Sequence, residues 1–299
     1  MKLHVLIDNL PNPANPALQH EHGLCLLLQT PEGKNYLIDT GASGKFLENL
    51  AILRQADPSL PSAEEIDAVI ISHGHNDHTG GLRSFLELNT SVPVYLHNTT
   101  RGNFFYSCRP KNGVREARNI GMEQALFAEY DSRFQEIDTP ARITENTTLI
   151  PVSAAAGYPT PMGNGFLYCN DFPDKFTHEV AILVEHTQGK FAVISPCSHN
   201  GILNILECCM QFLSIMTTSK MPIITHFIGG LHYVDYLLMG EGKKETASII
   251  ETARIIKEKY PALKIFSGHC TCPTASEVLA SELGTNYNTF HTSSIIHLR

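Results

Sequence analysis

No stretch of this 299-residue chain is apolar for long enough to span a bilayer. Nor is there a basic excess to suit a nucleic-acid partner, because 22 Lys and Arg stand against 30 Asp and Glu, a formal net charge of −8. The opening run Met1-Lys2-Leu3-His4-Val5-Leu6-Ile7 lacks the long hydrophobic segment and small-residue cleavage site of a secretion signal. It reads as a first strand, and the expectation is a cytoplasmic protein without a membrane partner. Low-complexity segments and evident linkers are missing too. Hydrophobic residues at 42% and charged residues at 17% exclude the composition of a disordered chain. Eight cysteines in a chain of this length do not make a small secreted disulfide framework. Cys270 and Cys272 have no second pair at zinc-knuckle spacing, which excludes a four-cysteine structural zinc site. Cys208 and Cys209 sit in an apolar helical pattern and read as buried thiols.

What the chain has in quantity is histidine, 15 in all, and the clustering matters more than the count. The run Ile70-Ile71-Ser72-His73-Gly74-His75-Asn76-Asp77-His78-Thr79-Gly80-Gly81 places three imidazoles and a carboxylate within six positions, after an apolar run and before a glycine pair. Core histidines occur singly and are satisfied by one or two hydrogen bonds. A cluster of this kind is the ligand chemistry of borderline divalent metals such as zinc.

Around it the first third alternates strands and turns. Leu24–Leu28 and Tyr36–Ile38 are joined by Pro31-Glu32-Gly33 as a hairpin, and Asp39-Thr40-Gly41 leads toward a helix through Phe46, Leu50 and Leu53. Ala68–Ile71 is a continuously apolar strand, Leu82–Leu88 a helix, and Val92–Leu96 another strand. Residues from about His97 to Glu145 mix basic, aromatic and acidic groups, Arg101, Phe105 and Lys111 among them, with a helical stretch from Met122 to Tyr130. This reads as an insertion that either supplies substrate-specific groups or is a solvated cap. The second half repeats the theme. Val180–Glu185 and Phe191–Ile194 form a hairpin about Gln188-Gly189-Lys190. Gly201–Ser214 is helical, Pro222–Ile228 a strand, Glu245–Lys259 an amphipathic helix, and Lys264–Ser267 a late strand. Residues 1–299 therefore read as one α/β domain of two similar halves.

Past a strand end, alternation puts His73 and His75 on one side, while Asp77 and His78 begin the next helix. Four ligands crowd a single ion, so two neighbouring ions are the natural reading, His73 and His75 on one and Asp77 and His78 on the other. Each needs further ligands from elsewhere. Three segments of the second half share a layout of strand, glycine or proline, then histidine: Ser195-Pro196-Cys197-Ser198-His199, Gly229-Gly230-Leu231-His232 and Gly268-His269-Cys270. His4, His97, His186, His291 and His297 lack that layout and read as non-ligands.

These residues resemble the metallo-β-lactamase superfamily, whose HxHxDH motif is matched by His73 to His78 behind Asp39-Thr40-Gly41. Glu21-His22-Gly23, Cys197-Ser198-His199, Gly229-Gly230-x-His232 and His269-Cys270-Thr271 narrow the similarity. They point to the branch of dihydropterin-methyl-ribofuranosylaminobenzene-phosphate synthases and their bacterial relatives. The resemblance implies a four-layer αβ/βα sandwich (the metallo-β-lactamase fold) and a dinuclear metal site. His199 would complete the first ion and His269 the second, with Cys197 as an alternative ligand where the superfamily has a bridging Asp. Zinc is the expected metal, with iron or manganese as alternatives. The chain departs from the branch at Ser195-Pro196, at Cys272, and at His178-Glu179, where an Asp-Glu pair is typical.

Two such ions keep net positive charge and activate water, which favours a small anionic substrate and hydrolysis of an ester, phosphoesters first. Asp77 and His232 are the expected catalytic groups, Glu21, His22 and His232 the expected substrate contacts, and Asp39 an orienter of a ligand histidine. The branch implies an alternative, a transferase releasing diphosphate as a pterin methyl is joined to an arylamine. A non-catalytic ligand-binding protein is a third reading, and assembly into an oligomer is open.

Overall fold

The unbroken apolarity of Ala68–Ile70 follows from its place in a sheet. This strand, β4, runs parallel to β3 (Asn35–Ile38) on one side and β5 (Val94–His97) on the other, and all its residues are buried. The computed structural model describes residues 1–110, 114–216, 221–234 and 242–299, so Lys111 lies outside the described residues. They divide into two compact units, each with its own sheet.

The first unit comprises Met1–Asp138, Gly165–His178 and His291–Leu298. Its sheet begins with β1 (Lys2–Ile7) and β2 (Cys25–Gln29). It takes in β3, β4 and β5, and ends at β8 (Phe134–Ile137), with β18 (Ile295–His297) on the other edge. The pairs β1–β2 and β2–β3 are antiparallel, which confirms the first hairpin, and from β3 to β8 the strands are parallel. Parallel neighbours need crossovers. Here α1 (Lys45–Ala56) returns the chain from β3 to β4, and α2 (Asn76–Thr79) with α3 (Leu82–Leu88) returns it from β4 to β5. Phe46 and Leu50 of α1 and Leu82, Phe85 and Leu86 of α3 close over Leu6, Leu37, Val69 and Val94 as one apolar core.

Within the stretch 97–145, β6 (Phe105–Ser107) and β7 (Arg118–Asn119) join β11 (Leu167–Cys169) and β12 (Phe172–Pro173) in a small separate sheet. The helix expected over Met122–Tyr130 is only the turn α4, Leu126–Glu129. The Met122 N–H donates to the Gly74 carbonyl at 2.8 Å, so that end of the segment is committed to the histidine loop and not to a helix.

The second unit comprises Thr139–Asn164 and Glu179–Phe290 with Arg299. Its sheet is built from β9 (Ala141–Thr144), β10 (Thr147–Pro151), β13 (Val180–Thr187), β14 (Lys190–Ile194), β15 (Ile223–Ile228), β16 (Lys264–Ser267) and β17 (Tyr287–Thr289). The pair β13–β14 is the second expected hairpin, and β14 to β17 are parallel. The crossovers contain α5 (Ile202–Met216), α6 (Gly242–Lys259) and α7 (Pro273–Leu283). Ile205, Leu206 and Cys209 of α5, Ile249, Ala253 and Ile256 of α6, and Leu279 of α7 share a core with Val193, Phe227 and Ile265 of the sheet. In both units the parallel strands end in the segments that carry the histidines, where side chains converge in open α/β sheets.

Candidate functional site

In the first unit the site is built around Asp39, which leaves β3 in a left-handed conformation at φ 57°. Its N–H donates to the Ile70 carbonyl at 2.9 Å, locking the end of β3 to that of β4. Its carboxylate, fully buried, accepts from the Ser72 N–H at 2.7 Å on one oxygen. The other oxygen takes the Ser72 hydroxyl and His78 Nδ1, each at 2.7 Å. With its proton on Asp39, the Ser72 hydroxyl oxygen accepts from His73 Nδ1 at 2.9 Å. Asp39 thus fixes the tautomer of two histidines, one directly and one through Ser72. Both carry the proton on Nδ1, so each Nε2 keeps the lone pair that a metal ligand requires.

The other groups of the motif lie close by. The His73 ring centroid is 4.6 Å from that of His75 and 4.2 Å from that of His78. Donor atoms of His73, Asp77 and His78 all lie within 4.8 Å of one another. Burial above all, then the neighbouring His178, pushes His75 down to about 3, so it is a neutral imidazole at any ordinary pH. His178 Nδ1 accepts the Gly74 N–H at 3.0 Å, and its Nε2 donates to Asp174 at 3.1 Å. Burial opposes ionisation of Asp174, yet the bond from His178 holds its carboxyl below the usual range. The position marked in the sequence as a departure from the branch is therefore a brace for the histidine loop. Gly74 itself has no room for a side chain, since a Cβ there would lie 2.6 Å from the ring of Phe105.

Glu21 and His22, expected at the substrate, are placed differently from each other. One Glu21 oxygen accepts from the N–H groups of Ala42 and Ser43 at 3.0 Å each, and the other from the Ser43 hydroxyl at 2.7 Å. That carboxylate ties down the loop entering α1. The exposed His22 lies 3.4 Å from Asp77 through Nε2 and 3.1 Å from Asn9 through Nδ1.

In the second unit β14, β15 and β16 end side by side. His199 Nδ1 pairs with the amide oxygen of Asn164 at 3.0 Å, which again leaves the lone pair on Nε2. Glu179 accepts from the N–H groups of His199 at 2.7 Å and Asn200 at 2.8 Å, and from the Asn200 amide at 2.7 Å. The His199 and His232 ring centroids are 4.1 Å apart, and His232 and His269 are both buried. Cys197, His232 and Cys270 form a further buried group of potential donors. Burial opposes ionisation of the Cys270 thiol, but its bond with Cys197 and the nearby His269 and His232 pull it well below the usual thiol range. Sequence reasoning missed Asp174 and Asn164, because neither lies in a histidine-bearing segment. The one signal was the spacing of Asp174 four residues before His178. Of the histidines set aside as non-ligands, His4 bonds Gln29, His186 bonds Thr225, and His97 caps a short turn.

The donor set fits borderline divalent metals, with neutral imidazoles of fixed tautomer beside a carboxylate. Residues 20–107, which include Asp39 and His73 to His78, match the family model of the metallo-beta-lactamase superfamily. The chain superposes over 100% of its length on 99% of Tm1679, a metal-dependent hydrolase of the beta-lactamase superfamily, with TM-score 0.71 and 23% identity. A diphosphatase of the PhnP family is matched over 100% of this chain and 98% of its own, with TM-score 0.50 and 16% identity. The fold is therefore the metallo-β-lactamase fold, and the resemblance read from the sequence holds. Within it the chain is similar, at 23% identity over 99% of its length and 96% of the relative's, to one synthase of Methanocaldococcus jannaschii. That protein is 7,8-dihydropterin-6-methyl-4-(beta-D-ribofuranosyl)-aminobenzene-5'-phosphate synthase. Among the described residues, no helix is long and apolar enough to cross a membrane.

Proposed function

We propose that this chain is a dinuclear metal-dependent hydrolase of an ester bond in a small anionic molecule, a phosphoester first. The observation that carries the reading is the Asp39 relay, which makes Nδ1 the protonated nitrogen of His73 and His78 and so makes Nε2 the basic nitrogen of each. In this reading His73, His75, Asp77 and His78 hold two divalent ions, with His199 and His269 as the remaining ligands. Zinc suits the donors best, and iron or manganese is the alternative. When bound, such ions supply a hydroxide near neutral pH and stabilise charge on the attacking and leaving oxygens.

The protein's own groups do the rest. Asp39 and Asn164 hold ligand imidazoles in one tautomer, and the His178 and Glu179 contacts keep the loops in shape. Asp77 accepts the proton of the attacking water, and His232 returns one to the leaving group. His22 meets the anionic substrate, while Glu21 acts by holding the loop Ala42–Lys45.

A second reading, a transferase that releases diphosphate, is supported by the likeness to the Methanocaldococcus jannaschii synthase over nearly the whole chain. The test is metal analysis of protein purified without chelator, followed by assay on a generic phosphodiester. Close to two ions per chain and turnover abolished by chelator is the expected result. Diphosphate release only when pterin donor and amine acceptor are both supplied would select the transferase instead. Metal-free protein with full turnover would overturn both.

A further inference from the structure

We propose that the small sheet of the first unit carries an anion site on Arg109, Arg115 and Arg118, which takes a phosphate group of the substrate remote from the ester being cleaved. Naming the substrate as carrier of that phosphate rests on the hydrolase reading above; the site itself does not. The register of the sheet brings the three residues together. Ser107 of β6 pairs with Arg118 of β7 and with Leu167 of β11. Arg118 thus lies across from a residue only two positions before Arg109, and its Nη2 donates to the Arg109 carbonyl at 2.8 Å. The Cys108 N–H donates to the Phe166 carbonyl at 2.8 Å, and the Arg115 guanidinium stands 5.6 Å from the centre of the Phe166 ring. Three arginines are gathered at one end of one small sheet.

Their charge is left for an outside anion. Elsewhere in this unit arginines are answered by carboxylates, Arg54 by Glu65, Arg83 by Glu123 and Glu129, and Arg101 by Asp131 and Glu136. Among the described residues Arg109, Arg115 and Arg118 form no ion pair, although the chain holds 30 Asp and Glu against 22 Lys and Arg. Arg109 Nε is buried and has no hydrogen-bond partner among the described residues. A charged donor shut away from water beside like charges is unfavourable until an anion meets it. Guanidinium forks match the oxygens of a phosphate two at a time. The cluster also stands beside the histidine loop. Phe105 precedes Ser107 by two residues and so shares its face of the sheet, the face of Arg118, and the Phe105 ring lies 5.7 Å from that of His75. Past β7 the chain is laced to the loop itself, with the Ile120 carbonyl accepting the Asn76 N–H at 2.6 Å and Gly121 bridged to His75. Arg118 stands two residues before Ile120, about 7 Å of extended chain. That separation fits the two ends of one small molecule, its ester at the histidines and its phosphate at the arginines.

The test has two arms. In the first, the full chain is titrated with inorganic phosphate as purified and again after chelation, followed by phosphorus NMR. Chelation frees the result from the two-ion reading. Saturable binding is expected in the chelated chain, weakened about tenfold or more in Arg109→Gln and Arg118→Gln, partly restored in Arg118→Lys, and unmoved in Arg54→Gln. Arg115 is exposed, so Arg115→Gln keeps the test open should the other two glutamine variants fail to fold. No binding by the wild-type chain, or equal binding by the glutamine variants, would overturn the site. In the second arm the metal-loaded chain is assayed on two phosphodiesters, alike except that one carries a terminal phosphate. With the anion part of the substrate, the KM of the phosphorylated diester relative to the plain one rises about tenfold in Arg118→Gln. A ratio unmoved by the substitution, with phosphate binding lost, makes free phosphate the occupant and refutes the substrate assignment. Absence of turnover on both diesters removes the hydrolase reading and that assignment together, while the titration alone still decides the site.

Discussion

Replacing Asp39 by asparagine exchanges one buried oxygen for an amide nitrogen and leaves the backbone content, because asparagine tolerates the left-handed conformation that Asp39 adopts at φ 57°. The amide oxygen can still accept the Ser72 N–H. The new amide nitrogen, however, faces the Ser72 hydroxyl and His78 Nδ1, both donors to the carboxylate at 2.7 Å. The hydroxyl can rotate to accept. The imidazole must move its proton to Nε2, and then its metal-binding nitrogen is blocked. Metal-free Asp39→Asn should lose only about 1–2 kcal/mol, since charged hydrogen bonds are replaced by neutral ones. Asp39→Ala leaves buried donors of Ser72 and His78 unsatisfied and should lose about 3–5 kcal/mol. Metal affinity separates the two effects, because the asparagine variant should bind zinc about 10- to 100-fold more weakly despite its near-normal fold. Urea melts of metal-free protein and competitive zinc titration give the two quantities. Wild-type affinity in Asp39→Asn would show that tautomer control by Asp39 is irrelevant to the site.

Gly74→Ala should cost about 1–3 kcal/mol in urea melts, because the new Cβ would stand 2.6 Å from the Phe105 ring, and Phe105→Leu in the same chain should restore part of the loss. Glu179→Gln puts an amide N–H against one or more of three donors from His199 and Asn200, so a loss of about 2–4 kcal/mol is expected, read by the same melts. Burial first, then His186 and Lys264, lowers His226 to about 4. The unfolded chain protonates there near its ordinary value of 6.5, so between about 6.5 and 4 it binds more protons than the folded state. Stability should accordingly be full above pH 6.5 and fall by about 2–3 kcal/mol as the pH drops to 4. A His226→Phe chain melted across that range should show a correspondingly flatter profile, and an unchanged slope would assign the acid sensitivity elsewhere.

Apolar runs and turn residues made both hairpins and the crossover helices α1, α3, α5 and α6 legible in the sequence, because burial on a sheet writes itself into local periodicity. Short edge strands do not. Tyr287–Thr289 and Ile295–His297 pair at sheet edges and carry no continuous apolar run. The helix Pro273–Leu283 mixes small and polar residues, with Pro at its first turn as its main local sign. The histidine motif was readable as metal chemistry, since its donors lie within six positions. Its supports were not. The acceptor for the Gly74 N–H comes from His178, 104 residues along the chain, and the partner of His199 Nδ1 comes from Asn164, 35 residues before it. Contacts closed by the sheet's return path leave no trace in spacing. Glu21 shows the converse, a motif residue whose carboxylate is engaged by a loop.

The parallel strands carry their donors at one end only, and this sets where the protein can be handled. The turns at Gly33, before β3, and Gly189, before β14, lie at the opposite ends of strands that finish in Asp39 and in Ser195 to His199. Beyond its two chain neighbours, neither glycine has an atom within 4 Å of where a Cβ would stand. A tag, fluorophore or inserted module at Gly189 would be separated from the donor-bearing segment by the whole of β14, about 16 Å of extended chain. These two turns are places to attach a reporter that stands clear of the proposed metal ligands.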